Sequence, residues 1–129
     1  MAKNKQALIT GASYGLGLNA AMALAQDGYD IIMTARGKKR LDQAALEVGK
    51  INNQVKITAM VLDVSNFDEV RDFANKQKGI LDVLMNNAGV MGPDFSLSAD
   101  GIESQMAINH LGHFVLTAAL WTNLESASK

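Results

Sequence analysis

Short apolar blocks alternate along the chain with longer segments in which apolar residues recur at helical spacing. Blocks such as Ala7-Leu8-Ile9 and Ile31-Ile32-Met33 have the length and composition of buried strands. The predicted strands cover residues 7–9, 31–33, 55–62 and 81–85, and the predicted helices cover residues 17–26, 41–48, 67–78 and 100–125. This alternation is typical of a parallel sheet with helices on its faces.

The element order βαβαβαβα predicts an α/β fold of the doubly wound, Rossmann type. Parallel strands joined by right-handed crossovers most simply form a sheet in the order 3-2-1-4. This pattern accounts only for the N-terminal part of such a sheet, so the strand at 81–85 is left as an open, largely apolar edge. The helix at 100–125 is also apolar almost all round. Both surfaces predict a homo-oligomer, because sheet edges and apolar faces of this kind are usually covered.

Composition narrows the possible functions. A chain of 129 residues with 48% hydrophobic and 19% charged residues has the size and the core of one globular domain. A net charge of −1 argues against a nucleic-acid partner, and the absence of cysteine excludes a disulfide framework and a thiolate metal site. The short apolar run near the N-terminus is too small for a secretion signal, which favours a cytoplasmic protein.

Two features of the last predicted helix bear on membrane and metal functions. Residues 104–124 contain no charged side chain but several polar ones, which makes a membrane span a poor interpretation. His110 and His113 are three residues apart, but no acidic or thiol ligand stands next to them. We therefore predict no metal site and expect core or interface histidines.

A glycine-rich turn separates the first strand from the first helix. It reads Thr10-Gly11-Ala12-Ser13-Tyr14-Gly15-Leu16-Gly17. Such glycines allow a tight turn, a close backbone approach to a diphosphate and close packing of the helix, whose N-terminus then faces the anion. A loop that merely needs positive φ would have similar residues, and the position between strand and helix favours binding.

The spacing G-x-x-x-G-x-G resembles that of the short-chain dehydrogenase/reductase family. Three further stretches match the family in the same order: Asp63-Val64 after the third strand, Asn86-Asn87-Ala88-Gly89 after the fourth, and Asn109 in the last helix. Asp100-Gly101-Ile102 and residues 108–114 are most similar to the retinol dehydrogenase and protochlorophyllide reductase branch. Residues 1–129 are then an NAD(P)-binding Rossmann domain that is incomplete at its C-terminal end.

The resemblance implies a role for each matching residue. The glycine-rich turn would hold the cofactor diphosphate, Asp63 with Val64 the adenine, and Asn87 to Gly89 the ribose on the nicotinamide side. Asn109, with a helix kink, would hold a water in the catalytic proton relay. A turn carboxylate remains the alternative for Asp63. The implied cofactor-binding residues are Thr10, Gly11, Ser13, Tyr14, Gly15, Leu16, Gly17, Arg36, Asp63, Val64, Asn87, Ala88 and Gly89, and the implied catalytic residue is Asn109.

The end of the second strand favours NADP over NAD. A site for NAD places an acidic side chain there to accept from the ribose hydroxyl, whereas a 2′-phosphate needs a guanidinium. Here Arg36 follows Ala35, and Lys38, Lys39 and Arg40 add positive charge. A solvated basic start of a helix is the alternative, and Tyr14 stands where many NADP-preferring relatives carry a basic residue.

The proton-donating residues of the family are missing from this sequence. Its chemistry depends on a Tyr-x-x-x-Lys pair and an upstream serine, but Tyr14 and Tyr29 are followed four residues later by Leu18 and Met33. We therefore expect the cofactor-binding half of a truncated oxidoreductase that is inactive alone and, at full length, acts on a small-molecule carbonyl or alcohol. The alternatives are a non-catalytic dinucleotide-binding or regulatory half-domain and a structural partner that completes its sheet with another chain.

Overall fold

The computed structural model describes residues 2–127 and contains one parallel four-stranded sheet. Its strand order is β3-β2-β1-β4, which confirms the predicted fold class and order. The strands are β1 Gln6–Thr10, β2 Asp30–Ala35, β3 Ile57–Val61 and β4 Val83–Met85. The helices are α1 Gly15–Gln26, α2 Lys38–Gly49, α3 Phe67–Lys76, α4 Ser104–Met106, α5 Gly112–Ala119 and α6 Trp121–Glu125, with a π-helical segment Ala107–Leu111 between α4 and α5.

Helices cover both faces of the sheet because successive strand residues point to opposite sides. Ala7 and Ile9 of β1 pack on one side with apolar residues of β2, α1 and α2. Leu8, between them, packs on the other side with apolar residues of α3, the π-helical segment and α5. Gly28 follows the C-cap residue of α1 with a φ of +89°, the left-handed conformation in which glycine often ends a helix.

The single helix predicted over 100–125 is wrong in two respects. It begins only at Ser104, because residues 98–102 form a turn and Leu97 pairs with Glu103 in an isolated β-bridge. The Glu103 carboxylate then caps α4 by accepting from the amides of Gln105 and Met106, and these bonds hold its pKa below the ordinary value.

The same stretch is also interrupted twice. The first interruption is the wider π-helical turn, which contains Asn109. The second is at Leu120, where φ of −96° and ψ of 6° separate α5 from α6. Leu116 and Leu120 of this stretch are fully buried, while Phe114 and Trp121 are exposed at 67% and 59%. No helix among the described residues has the length and apolar character needed to cross a membrane.

Candidate nucleotide-binding site

A cleft of about 480 Å³ opens at the carboxyl edge of the sheet. Its walls come from the loops after β1 and β2 and from the chain after β3 and β4, the place where open α/β sheets bind ligands. Ten predicted cofactor-binding residues line it: Gly11, Ser13, Tyr14, Gly15, Leu16, Arg36, Val64, Asn87, Ala88 and Gly89. Seven residues not predicted also line it: Thr34, Ala35, Gly37, Arg40, Leu62, Val90 and Ile108.

The glycines of the β1–α1 turn are needed for different reasons. A Cβ on Gly17 would lie 2.2 Å from the carbonyl oxygen of Gly11, and one on Gly11 would lie 2.7 Å from Cα of Ala88. Both positions are therefore closed to a side chain by backbone atoms. Gly15 meets open space but has a φ of +59°, which favours glycine by conformation alone.

The N-terminus of α1 faces the cleft with free donors. Tyr14 is the N-cap residue, but no side chain caps the helix there, and its first turn holds no acidic residue. The first amides of a helix need external acceptors and carry the positive end of its dipole. This end of α1 can therefore bind an anion such as a diphosphate.

Thr10 lies beneath the turn and joins β1 to the chain that follows β4. Its side chain is fully buried. Its Oγ1 accepts from the amides of Asn87 and Ala88, both at 3.0 Å, and lies 2.8 Å from Nε2 of His113 on α5. Thr10 thus positions one wall of the cleft without lining it.

Two asparagines hold the same wall. The side-chain amide of Asn87 donates to the carbonyls of Thr10 and Gly11, each at 3.1 Å. Oδ1 of Asn109 accepts from the amide of Val90 at 2.8 Å, and Nδ2 donates to the carbonyl of Val90 at the same distance. Asn109 therefore uses its side chain to tie the π-helical segment to the cleft wall.

The loop after β2 and the first turn of α2 form a basic, exposed wall, called here the β2–α2 wall. Arg36 and Arg40 both line the cleft, and the guanidinium of Arg40 lies over the Tyr14 ring, 5.3 Å from its centroid. Lys38 forms an ion pair with Asp42 along α2. Positive charge at a helix N-terminus opposes the helix dipole, so this arrangement becomes favourable when an anion binds there.

Asp63 does not line the cleft, although its neighbours Leu62 and Val64 do. Its Oδ1 accepts from the amide of Ser65 at 2.9 Å and from the hydroxyl of Ser65 at 2.7 Å. These bonds fit the turn carboxylate that is the alternative interpretation of Asp63. The cofactor contacts of all the predicted residues stay predictions, including the adenine-binding role of Asp63 and the contacts of Thr10 and Gly17, which do not line the cleft.

The two histidines have different surroundings. His113 is buried to 6% exposure, and burial lowers its pKa against the opposing effect of a hydrogen bond to the backbone of Asn109. His110 is exposed. Among the described residues, no group of three or more histidines, cysteines or carboxylates is arranged to hold a metal.

The sequence does not reveal the apolar lining residues, because an aliphatic side chain at the end of a strand or in a loop carries no chemical group that indicates a binding site. In the sequence, Arg40 stands out only as part of a run of positive charge. Its spacing of four residues from Arg36 could have indicated a second guanidinium at the same helix start.

The glycine turn, the uncapped α1 and the strand order together define a Rossmann-type α/β fold. The sequence profile described as short chain dehydrogenase matches residues 5–129. The chain therefore belongs to the short-chain dehydrogenase family.

Relatives from the predicted branch are among the most similar proteins. The chain is 39% identical to the chloroplastic short-chain dehydrogenase TIC 32 B of Brassica napus over 99% of its own length and 41% of that protein. It is 41% identical to the chloroplastic protochlorophyllide reductase of Chlamydomonas reinhardtii (97% and 33% covered) and 35% identical to human retinol dehydrogenase 13 (96% and 38% covered). The chain thus spans about 40% or less of the length of these relatives.

Solved structures have the same fold. An alcohol dehydrogenase from Thermococcus sibiricus, complexed with 5-hydroxy-NADP, superposes with a TM-score of 0.81 at 34% identity, covering 95% of this chain and 54% of that one. A short-chain dehydrogenase from Sphingobium yanoikuyae in complex with NADPH gives a TM-score of 0.75 at 30% identity, covering 90% and 47%.

Proposed function

We propose that this chain is the cofactor-binding half of an NADP-dependent oxidoreductase that transfers hydride between nicotinamide and a small-molecule carbonyl or alcohol substrate. The observation that carries the proposal is the cleft in which an uncapped helix N-terminus and two arginines converge. When bound, NADP(H) would supply the hydride and the protein would orient it.

The glycine turn fits a dinucleotide diphosphate. No side chain fits at Gly11 or Gly17, because a Cβ at either position would collide with neighbouring backbone atoms. The amides at the start of α1 have no side-chain cap. A diphosphate that meets this surface accepts from backbone donors without displacing an existing contact. The geometry suits any diphosphate-bearing dinucleotide, so cofactor choice depends on the β2–α2 wall.

The β2–α2 wall favours NADP. Arg36 follows directly after β2, and no acidic side chain stands at the end of that strand to accept from a 2′-hydroxyl. Arg40 reaches over Tyr14, so a guanidinium lies beside the position where NADP-preferring relatives carry a basic residue. Two structures of relatives, named above, contain an NADP derivative or NADPH.

Asn109 contributes through the shape of the chain around it. Both polar atoms of its side chain are engaged by Val90, and the wider turn surrounds it. We propose that its part in a proton relay comes from the backbone geometry that this pair fixes, rather than from a free side-chain amide.

Cofactor titration tests the proposal. We expect NADPH to bind more tightly than NADH by fluorescence, and Arg36→Asp to reverse or remove the difference, because a charge-assisted phosphate contact contributes about 1.5–3 kcal/mol. Lys50→Asp, the same charge change at the exposed C-terminal end of α2, should leave the ratio unchanged. Equal affinities in the unmodified chain would contradict the NADP assignment.

The same preparation distinguishes binding from catalysis. Residues 1–129 contain no Tyr-x-x-x-Lys pair, so we expect no turnover of retinoid, steroid, aldehyde or quinone substrates above background. NADPH oxidation coupled to product would refute this. The alternative, a non-catalytic half-domain that assembles with another chain, is favoured if no longer reading frame encodes the missing pair.

We also propose that the protein self-associates in the cytoplasm. Within the described residues β4 pairs with a strand on one side only, and Met106, Phe114 and Trp121 are exposed on one stretch of chain. Sedimentation should show a dimer or larger species that Phe114→Ser with Trp121→Ser dissociates. A monodisperse monomer at tens of micromolar concentration would contradict self-association.

A further inference from the structure

Four polar groups lie around the hydroxyl of Thr10, which can make at most three hydrogen bonds. The amides of Asn87 and Ala88 lie 3.0 Å away, Nε2 of His113 lies 2.8 Å away, and the carbonyl of Met85 lies 3.5 Å away. All of these contacts are within a buried or half-buried region. The roles of donor and acceptor can therefore be assigned.

A hydroxyl has one proton to donate and two lone pairs that accept. The amides of Asn87 and Ala88 can only donate, so together they use both lone pairs of Thr10 Oγ1. The single hydroxyl proton must then point away from them. The ring nitrogen of His113 at 2.8 Å is a far better acceptor position than the carbonyl of Met85 at 3.5 Å.

This assignment fixes the protonation of His113. Nε2 must carry a lone pair, so the proton of the neutral ring is on Nδ1. Hydrogen bonding to the backbone of Asn109, four residues earlier, works against the effect of burial on the pKa of the ring. Burial lowers the pKa of His113, in agreement with a neutral ring.

We infer that His113 is a positioning residue for the cleft: as the Nδ1-protonated tautomer it accepts the hydroxyl proton of Thr10 and leaves both lone pairs of Oγ1 for Asn87 and Ala88. A ring protonated on Nε2 would present a third donor to an oxygen that has no lone pair left. The Asn87–Ala88 backbone would then lose a contact.

The consequence for the site follows from where these residues lie. Asn87, Ala88 and Gly89 line the cleft, whereas Thr10 and His113 do not. His113 therefore acts on the cleft through Thr10. The arrangement of hydrogen bonds around Thr10 requires no ligand. Only the identity of the molecule that binds in the cleft rests on the proposed function.

The tautomer can be measured directly on the full chain without cofactor. Long-range ¹H–¹⁵N NMR spectra of histidine-labelled protein distinguish a protonated from an unprotonated Nε2, and the His113 signals are assigned by their loss in a variant. We expect an unprotonated Nε2 and a protonated Nδ1 at neutral pH. The opposite tautomer, or a doubly protonated ring, would overturn the inference.

Two substitutions of similar shape test the positioning role. The amide oxygen of His113→Gln can accept from Thr10, whereas His113→Met fills similar space but offers only a weak acceptor. We expect hydrogen exchange at the Asn87 and Ala88 amides to accelerate about three- to tenfold in the Met variant and to stay near the original rate in the Gln variant, as expected for one lost hydrogen bond. Equal acceleration in both variants would show that only volume matters and would refute the role.

A cofactor readout separates this inference from the proposed function. If NADPH binds, the Met variant should bind it more weakly than the Gln variant. If NADPH does not bind, the proposed function fails, while the tautomer and the exchange rates still decide the inference.

Discussion

The two walls of the cleft are built in opposite ways. The wall after β1 and β4 is held by hydrogen bonds of Thr10, Asn87, His113 and Asn109, of which the Thr10–His113 bond is buried, and by glycines that touch backbone. The wall after β2 consists of exposed cationic side chains, of which Arg40 is held by an aromatic face. One wall is fixed before any ligand arrives, and the other carries charge on flexible side chains.

The proposed function gives the two walls different roles: one wall binds the part common to both cofactors, and the other distinguishes between them. The diphosphate is common to NAD and NADP, and backbone donors that are fixed in advance bind it at a lower entropic cost. Discrimination between the two cofactors requires only a local charge at one end of the cleft. Substitutions in the first wall should therefore change folding, and substitutions in the second should change affinity with little effect on folding.

The largest expected effect is on the fixed wall. Gly17→Ala would place a Cβ 2.2 Å from the Gly11 carbonyl oxygen, a backbone atom that cannot move aside as a side chain could. We expect the free energy of unfolding to fall by about 3 kcal/mol or more, the upper range for overpacking. Urea denaturation measures it.

Gly49→Ala is the matched control for that substitution. Gly49 also lies in a helix, but no atom comes within 4 Å of a Cβ built there, and its φ is not positive. Because alanine is the better helix former, we expect this variant to be unchanged or stabilised by up to about 1 kcal/mol. Similar destabilisation in both variants would contradict the fixed-wall interpretation.

Local patterns in the sequence were sufficient for the sheet and for the glycine turn. Strand order follows from the alternation of strands with helices, and the turn follows from glycines between a strand and a helix. These features depend on residues close together in the chain. The same was true of Arg36, whose place directly after β2 indicated its position at the cleft.

Features that depend on distant residues could not be predicted. Asn109 is an unusual residue within a predicted helix, but the sequence does not show that its partner is Val90 or that the helix widens there. The contact between His113 and Thr10 joins residues 103 positions apart. Asp63 fits two interpretations. Its position in the sequence motif favours adenine binding, whereas its hydrogen bond from Ser65 is typical of a turn carboxylate.

A smaller effect is expected from acid. The pKa of His113 is lowered by burial from an ordinary value of 6.5, so the unfolded chain binds a proton there at a higher pH than the folded chain does. The resulting stability is complete above pH 6.5 and is lost as the pH falls from 6.5 towards the folded pKa, with a slope of at most about 1.4 kcal/mol per pH unit. Urea midpoints measured across pH 7.5 to about 5 test this.

His113→Gln provides the control for the acid effect. It removes the titrating ring and keeps an acceptor, so its stability should fall less steeply below pH 6.5 than that of the original chain. Carboxylates shared by both proteins, including Glu103 with its lowered pKa, contribute equally and cancel in the difference. Parallel curves would mean that His113 does not titrate differently in the two states.

The smallest effect is expected on the exposed wall, where Arg40 lies over Tyr14 with an energy typical of surface cation–π pairs, about 0.5–1 kcal/mol. Tyr14→Leu removes the ring and should weaken NADPH binding about two- to fivefold, whereas Tyr14→Phe keeps the ring face and should bind nearly as the original chain does. NADH affinity and the urea midpoint should change little in either variant, because the pair is exposed and, under the proposed function, serves the phosphate that NADH lacks. An equal loss for NADH and NADPH in Tyr14→Leu would mean that Tyr14 contacts the part common to both cofactors. In that case the exposed wall would not be separate from the fixed one.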